Sequence, residues 1–336
     1  LSSVLHGPNV LGGVVEIDVA RGAELQTAPR PTQFDFGLDH TGARNLAVSA
    51  GSLVGTSHGS WVIRGGGGHQ ARDGFVVPEE ALEDPTLHRE LLTADDDLRL
   101  NTDASRYDAF LSARYLSEEG TWMSFSASGY RENRGVAPEA HVEDPRLWRY
   151  PAQNRILAAL SGGTGQRPTA WGEGDLEATI GLDMGSTDID QFATPAYKEK
   201  VGGESSDDRT VTIRLLGDHS LGNRGEIRTA LTYADIKHDE VLDAVEENTY
   251  RQRLWSFGAE AEWQIGSNPD SRGARPARFT VGMAVDGADT PETGDKPSLD
   301  ALWDWGGRVG FTTFAGRQDL LFHSSLSRRA RFPALR

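Results

Sequence analysis

The stretch LEATIGLDM, residues 176–184, is apolar at every even position (Leu176, Ala178, Ile180, Leu182, Met184) and polar or Gly at every odd one (Glu177, Thr179, Gly181, Asp183). A strict period of two marks a β-strand whose two faces meet different surroundings. The pattern recurs in Val211/Ile213/Leu215, Ile227/Leu231/Tyr233, Trp255/Phe257/Ala259/Ala261/Trp263/Ile265 and Phe279/Val281/Met283/Val285. Earlier in the chain it appears as Phe34/Phe36/Leu38, Leu46/Val48/Ala50 and Tyr107/Ala109/Leu111/Ala113/Tyr115. No helical period competes with it. The expectation is an all-β chain of about 13 strands.

The connections between these strands are expected to alternate in length. Residues 54–59, 117–120 and 216–224 are short links with turn-forming residues, and 162–169 is shorter than its neighbours. Residues 66–105, 134–151 and 186–208 are long links, and 238–248 is a longer one. Successive hairpins of an antiparallel barrel open at opposite ends, so one plain and one elaborated rim would sort the links in this way. Aromatic residues near strand ends, such as Tyr107 with Tyr115, Trp255 with Trp263 and Trp303 with Trp305, fit interfacial girdles. A buried sandwich face also uses Trp and Tyr, so the aromatic residues alone do not separate the two architectures.

Composition narrows the function. The 336 residues carry a formal net charge of -16, which disfavours nucleic acid as a partner, because a phosphate binder needs a basic surface. There is no Cys, which removes thiol chemistry, disulfides and Cys-zinc sites. No apolar run approaches the roughly 20 residues of a membrane helix, whereas barrel strands of about 10 residues with one polar face pass unnoticed by that test.

Four local patterns resemble catalytic, metal or phosphate sites and lack the context for it. Gly55-Thr56-Ser57-His58-Gly59 fits G-x-S-x-G but joins two period-2 strands instead of a strand and a helix. Asp95-Asp96-Asp97 has no Gly or Glu at calcium-loop spacing, and His40, His58 and His69 fall in different connections. Gly65 to Gly68 is not followed by Lys-Ser/Thr and reads as a flexible strand exit. No enzyme activity, cofactor or metal is expected. In the link 134–151, Arg134, Trp148, Arg149 and Tyr150 could contact an anionic or aromatic chelate, although such residues commonly serve rim packing.

Residues 3–17, SVLHGPNVLGGVVEI, carry a Gly-Pro turn and a Gly-Gly pair running into an apolar strand. Gly7, Gly12 and Gly13 allow positive φ and close backbone approach, and Pro8 fixes the turn, so a strand can emerge sharply. This stretch resembles the end of the plug domain of TonB-dependent outer-membrane receptors. Residues 101–138 and the terminal SSLSRRARFPALR, residues 324–336, are similar to barrel segments of that family. His6 stands where the family usually has Tyr, and Glu16 where it has Asn.

The resemblance implies an antiparallel transmembrane β-barrel of the plugged-receptor type, present as an incomplete, open fragment. Residues 1–22 would end the plug and 23–336 would form the first part of the barrel. The chain opens without Met, and about 13 strands stand against roughly 22 in a plugged transporter, so it is expected to be an internal piece of a longer gene. By the same resemblance, the full protein would lie in the outer membrane of a Gram-negative bacterium, among its lipids. It would bind a scarce, bulky nutrient such as an iron-siderophore chelate and import it with energy delivered by TonB and its inner-membrane complex. A passive porin-like or structural barrel without TonB coupling is the alternative, and an outer-membrane enzyme comes third.

Overall fold

In the computed structural model, residues 5, 32–93, 97–266, 277–314, 320–329 and 331–333 are described. One antiparallel sheet contains every strand: β1 (Thr32–Leu38), β2 (Arg44–Thr56), β3 (Gly59–Arg72), β4 (Ala104–Ser117), β5 (Trp122–Gly135), β6 (Trp148–Gly163), β7 (Arg167–Thr169), β8 (Gly172–Phe192), β9 (Lys200–Ser220), β10 (Gly225–Leu242), β11 (Glu246–Ile265), β12 (Ala277–Thr293), β13 (Leu299–Phe314) and β14 (Leu321–Arg328). Each strand pairs with its sequence neighbours, except that the three-residue β7 folds onto the start of β8 and stands off the main path. The main path therefore has 13 strands. Among the described residues β1 pairs only with β2 and β14 only with β13, so the sheet is open between them.

The two faces follow the sequence alternation. Ile180 pairs with Leu160 on one side and Ile213 on the other, and the same cross-strand row continues through Tyr233 and Trp255. Ile180 and Phe257 are each 53% exposed, with no second sheet packed over them. Among the described residues the buried apolar side chains form two small clusters, one at a rim and one on the other face of the sheet. A sandwich would bury this apolar face against a partner sheet; here it is left bare.

The rims differ from the expected parity of loop lengths. Links 73–103 and 136–147 are long and share one rim, while Ser57 with His58 and residues 118–121 are tight turns at the other. Beyond β8 it is the strands that lengthen. β8 and β9 have 21 residues each, β10 has 18 and β11 has 20, so the link expected over 186–208 shrinks to 193–199 and that over 238–248 to 243–245. Outside an apolar band both faces can be polar, and runs such as Ser205-Ser206-Asp207-Asp208 lose alternation while keeping ladder bonds. Asp243 (φ 50°) and Ala244 (φ 58°) close β10 to β11 in a turn with Val245 N donating to Leu242 O, a primed geometry that matches strand twist. At about 3.3 Å per residue, 21 residues run to roughly 70 Å, about twice what a tilted strand needs to cross a bilayer.

Gly65 to Gly68 are not a strand exit. All four pair on both sides, with residues 47–50 of β2 and 108–111 of β4. A Cβ on Gly66 would lie 2.8 Å from Phe110 Cε1 and 2.6 Å from Val48 O, so the ring of Phe110 occupies the space that a side chain would need.

Candidate functional site

The elaborated rim carries a small folded cap. Link 73–103 contains helix α1 (Glu79–Glu83) and a 3₁₀ turn (Arg89–Leu91), and it packs on link 136–147 through Leu91, Leu92 and Ala140, flanked by Leu87 and Leu147. Arg99 ties the two links. Its guanidinium donates to the carbonyls of Leu91, Leu92 (3.2 Å) and Pro138 (2.5 Å), and burial pulls its pKa below the ordinary arginine value. Asn101 sits in the left-handed region (φ 55°) and donates Nδ2 to Val136 O and Trp148 O, both at 2.7 Å. Gly135 is required there, since a Cβ would come within 2.3 Å of Asn101 Oδ1.

The four residues singled out in this link lie together at the ends of β5 and β6 but divide between two faces. Arg149 donates to both carboxylate oxygens of Asp103 (2.9 and 2.6 Å) and to Asn101 Oδ1 (2.7 Å). Those bonds commit the group to holding the cap. Trp148 packs under the Arg146 guanidinium at 5.2 Å. Arg134 and Tyr150 pair on the opposite face, with the guanidinium 4.7 Å from the ring centroid and Nε buried without a hydrogen-bond partner. Tyr197, at φ 52° in link 193–199, lies against this cap, where burial pushes its hydroxyl up. Asn101, Asp103 and Arg99 went unnoticed in the sequence, where the turn-prone Asn101-Thr102-Asp103 was the only available sign.

The polar face of the sheet is read best along its cross-strand rows. One row brings Asp218, Arg228, Glu260, Gly282 and Arg308 side by side on β9 to β13. Arg228 bonds Asp218 at 3.2 Å and Arg308 bonds Glu260 at 3.3 Å, the opposite-charge pairing that stabilises neighbouring strands. On β6 and β8 Arg155 bonds Asp183 with its Nε (2.9 Å) and Nη2 (2.5 Å). Higher on this face, His238 lies between Asp208 (2.7 Å) and Glu240 (3.3 Å), and Tyr250 donates to Glu240 at 3.2 Å.

Two segments rest on the polar face. Arg214 of β9 donates to Leu5 O at 3.2 Å, which puts the one described residue of the N-terminal stretch there. Gly7, Pro8, Gly12 and Gly13 lie outside the described residues. After β14 the chain leaves the wall. Arg329 approaches the fully buried Asp286 (3.6 Å), Phe332 packs on Ala288 and Leu254, and Gln252 donates to Pro333 O at 3.1 Å. Of the terminal stretch likened to a barrel segment, residues 324–328 are strand, and Arg331, Phe332 and Pro333 turn inward, where small residues on β12 such as Ala284 and Ala288 leave room.

The remaining candidates fall apart. Ser57 and His58 form a two-residue hairpin turn between β2 and β3, with no helix to make a nucleophile elbow. His69 stacks on Tyr107 at 4.3 Å on the apolar face. Asp95 and Asp96 lie outside the described residues, among which no group of three or more His, Cys, Asp or Glu is arranged to hold a metal ion.

No protein family and no curated protein matches the chain by sequence. Among solved structures it is similar to the copper transporter OprC, with a TM-score of 0.65 at 12% sequence identity over 90% of this chain and 44% of that one. The chain thus spans less than half the length of that structure. CdiB from Acinetobacter baumannii aligns at 13% identity over 85% of this chain and 53% of that one, with a TM-score of 0.26 that is too low to bear on the fold. What the OprC likeness shows is architecture: an antiparallel transmembrane β-barrel, present here as an open piece.

Proposed function

We propose that the chain is part of a TonB-dependent receptor of a Gram-negative outer membrane, which imports a scarce, bulky ligand with energy supplied from the inner membrane. One observation carries the reading. A single antiparallel meander of 13 strands has a bare apolar face on one side and a charge-lined polar face on the other, in a fold similar to a transporter barrel. That is how a wall divides lipid from a wide lumen, with each inner strand's backbone paired to both neighbours in the ladder.

Residues 1–22 are assigned to the end of the plug and 23–336 to the first part of the barrel. Leu5 on the polar face at Arg214 supports that division, as does the resemblance of Gly7, Pro8, Gly12 and Gly13 to a plug terminus. The elaborated rim, with its cap and long strands, faces the cell exterior in this reading. The identity to OprC carries no cargo over, and an iron chelate remains the expected class of ligand.

The test is uptake by cells expressing the full-length gene, with and without a functional TonB and with the proton gradient collapsed. A receptor loses saturable uptake in both cases. Uptake that persists without TonB would replace this reading with a passive barrel.

A further inference from the structure

We infer that the cleft at the inner mouth of β1 to β5, with Arg134 at its border, binds a small organic polyanion. The inference rests on the receptor reading for its biological meaning and on charge pairing for its chemistry. On the polar face of β10 to β13, Arg228 and Arg308 meet carboxylates in their own rows, Asp218 and Glu260, and Arg278 meets Glu262 on the diagonal, whereas Arg214 of β9 lies between Thr179 and Thr232 and donates to Leu5 O. On β3 to β5 the neighbours differ. Arg64 lies opposite Gly51 and Ser112, Arg72 opposite Ala104, and Arg134 between Ala104 and Tyr150. Among the described residues none of these three forms an ion pair, and neither does Arg106.

Three of these cations converge at the mouth. Arg72, Ala104, Arg134 and Tyr150 share one row, with Gln70, Arg106, Glu132 and Gln153 in the row beneath. Strands stand about 4.8 Å apart, so Arg72 and Arg134 rise roughly 10 Å from one another with only the Ala104 methyl between them. Arg72, Ala104, Arg106 and Glu132 line a cleft of about 540 Å³ whose other side is formed by Leu38, Arg44 and Asn45 of β1 and β2; Arg134 stands outside that lining, opposite Ala104.

The guanidinium groups are held without being neutralised. Arg106 lies 4.1 Å from the Tyr130 ring and Arg134 4.7 Å from that of Tyr150, contacts that fix the plane of the cation and leave its N–H edges free. Among the described residues Arg134 Nε has no hydrogen-bond partner, and Arg72 spends Nε on Thr102 O (3.1 Å), keeping its terminal nitrogens. Two carboxylates border the cleft. Asp39 is engaged by Thr41 and the Ala43 amide within its own turn, and Glu132 lies across from Arg106 without pairing, because that arginine is turned onto Tyr130. Three planar forks and one free carboxylate, spread over about 10 Å, suit a ligand with two or more carboxylate, sulfonate or phosphate groups.

The experiment is fluorescence anisotropy of pyranine, an aromatic trisulfonate, with the full-length protein in detergent micelles at low and at 0.3 M salt. Binding that weakens with salt is expected. Arg106→Gln and Arg134→Gln should each weaken it tenfold or more, and Glu132→Gln should tighten it severalfold, a gain that misfolding cannot produce. Arg131→Gln removes the same charge from the other face of β5 and should change affinity less than twofold. No binding by the unaltered protein, as when carboxylates from elsewhere in the full chain occupy the guanidiniums, would overturn the cleft. So would equal losses in the Arg106 and Arg131 variants. Pyranine binding in a protein whose uptake ignores TonB would leave the cleft standing and remove the receptor; energised uptake with Arg106→Gln binding as before would do the reverse.

Discussion

Placing Arg at two adjacent residues of β8 should separate the faces of the wall by energy. Ile180 is the middle member of the apolar run from Leu176 to Met184 and is 53% exposed on the bare face, between Leu160 and Ile213. If that exposure is to lipid, Ile180→Arg puts a charge near the bilayer midplane and should cost ~2 to 4 kcal/mol. Its neighbour Gly181 points to the polar face, where a new Cβ would meet nothing closer than Thr212 Cβ at 3.9 Å. Arg there can extend into water toward Asp183, so a change within about 0.5 kcal/mol is expected, as for an ordinary surface site. Thr179 is a poorer control. It lies across from Arg214 and gives its hydroxyl to Ser161 at 3.0 Å, so Arg would add like-charge repulsion and a lost hydrogen bond of ~1 kcal/mol. The measurement is reversible denaturant unfolding of the full-length protein in lipid vesicles. A separation of ~2 to 4 kcal/mol is roughly a 30- to 1000-fold difference in the folding equilibrium. Equal destabilisation at Ile180 and Gly181 would refute the assignment of faces.

Orientation is checked by introducing Cys into a chain that has none: His141→Cys, in link 136–147, should react with an impermeant reagent on intact cells, and Glu118→Cys should not. The opposite result would turn the barrel over. An oxidised Ala288→Cys/Phe332→Cys pair should cross-link within the full-length protein, whereas Val285→Cys/Phe332→Cys, with one thiol on the bare face, should not; the reverse would remove the inward-turned tail. The rim cap should respond to acid. Side-chain and backbone hydrogen bonds from Arg146 hold the Glu139 carboxyl below its ordinary value of 4.5. A lowered folded pKa contributes stability that is complete above 4.5 and is lost as pH falls through the folded value. Amide exchange in residues 139–146 should therefore quicken below pH 4.5 and lose that step in Glu139→Gln; an identical profile in the variant would dismiss the tie.

The strands were legible because period two is written in single residues. Leu176 to Met184 and Trp255 to Ile265 announce both a strand and its two faces. Legibility stopped where a strand left the apolar band. Ser205 to Asp208 carry no alternation, so the upper ends of β8 to β11 have no strand signal in the sequence and are defined by their pairing. The tetraglycine misled for a related reason. Glycine usually signals freedom, but Gly66 is held between β2 and β4 beneath the ring of Phe110, a cause that lies 44 positions away in the chain.

The site is harder to read than the fold because its chemistry depends on register. Arg134 and Arg149 look alike in sequence, two arginines in one connection. A bulge between Arg149 and Ala152 sets Tyr150 opposite Arg134 and turns Arg149 to the other face, toward Asp103. One becomes a clamp for the cap and the other an unpaired cation at the mouth. Shifting β5 against β6 by a single residue would exchange these environments, since alternate residues face opposite ways. Composition gives a net charge of -16, which by itself argues against an anionic ligand. Register decides otherwise locally: the row Asp218, Arg228, Glu260, Gly282 and Arg308 on β9 to β13 matches acid with base, whereas those of β3 to β5 set arginine mostly beside Gly, Ala and Ser. What a surface attracts follows from which charges remain unmatched after pairing, and pairing is a property of the sheet.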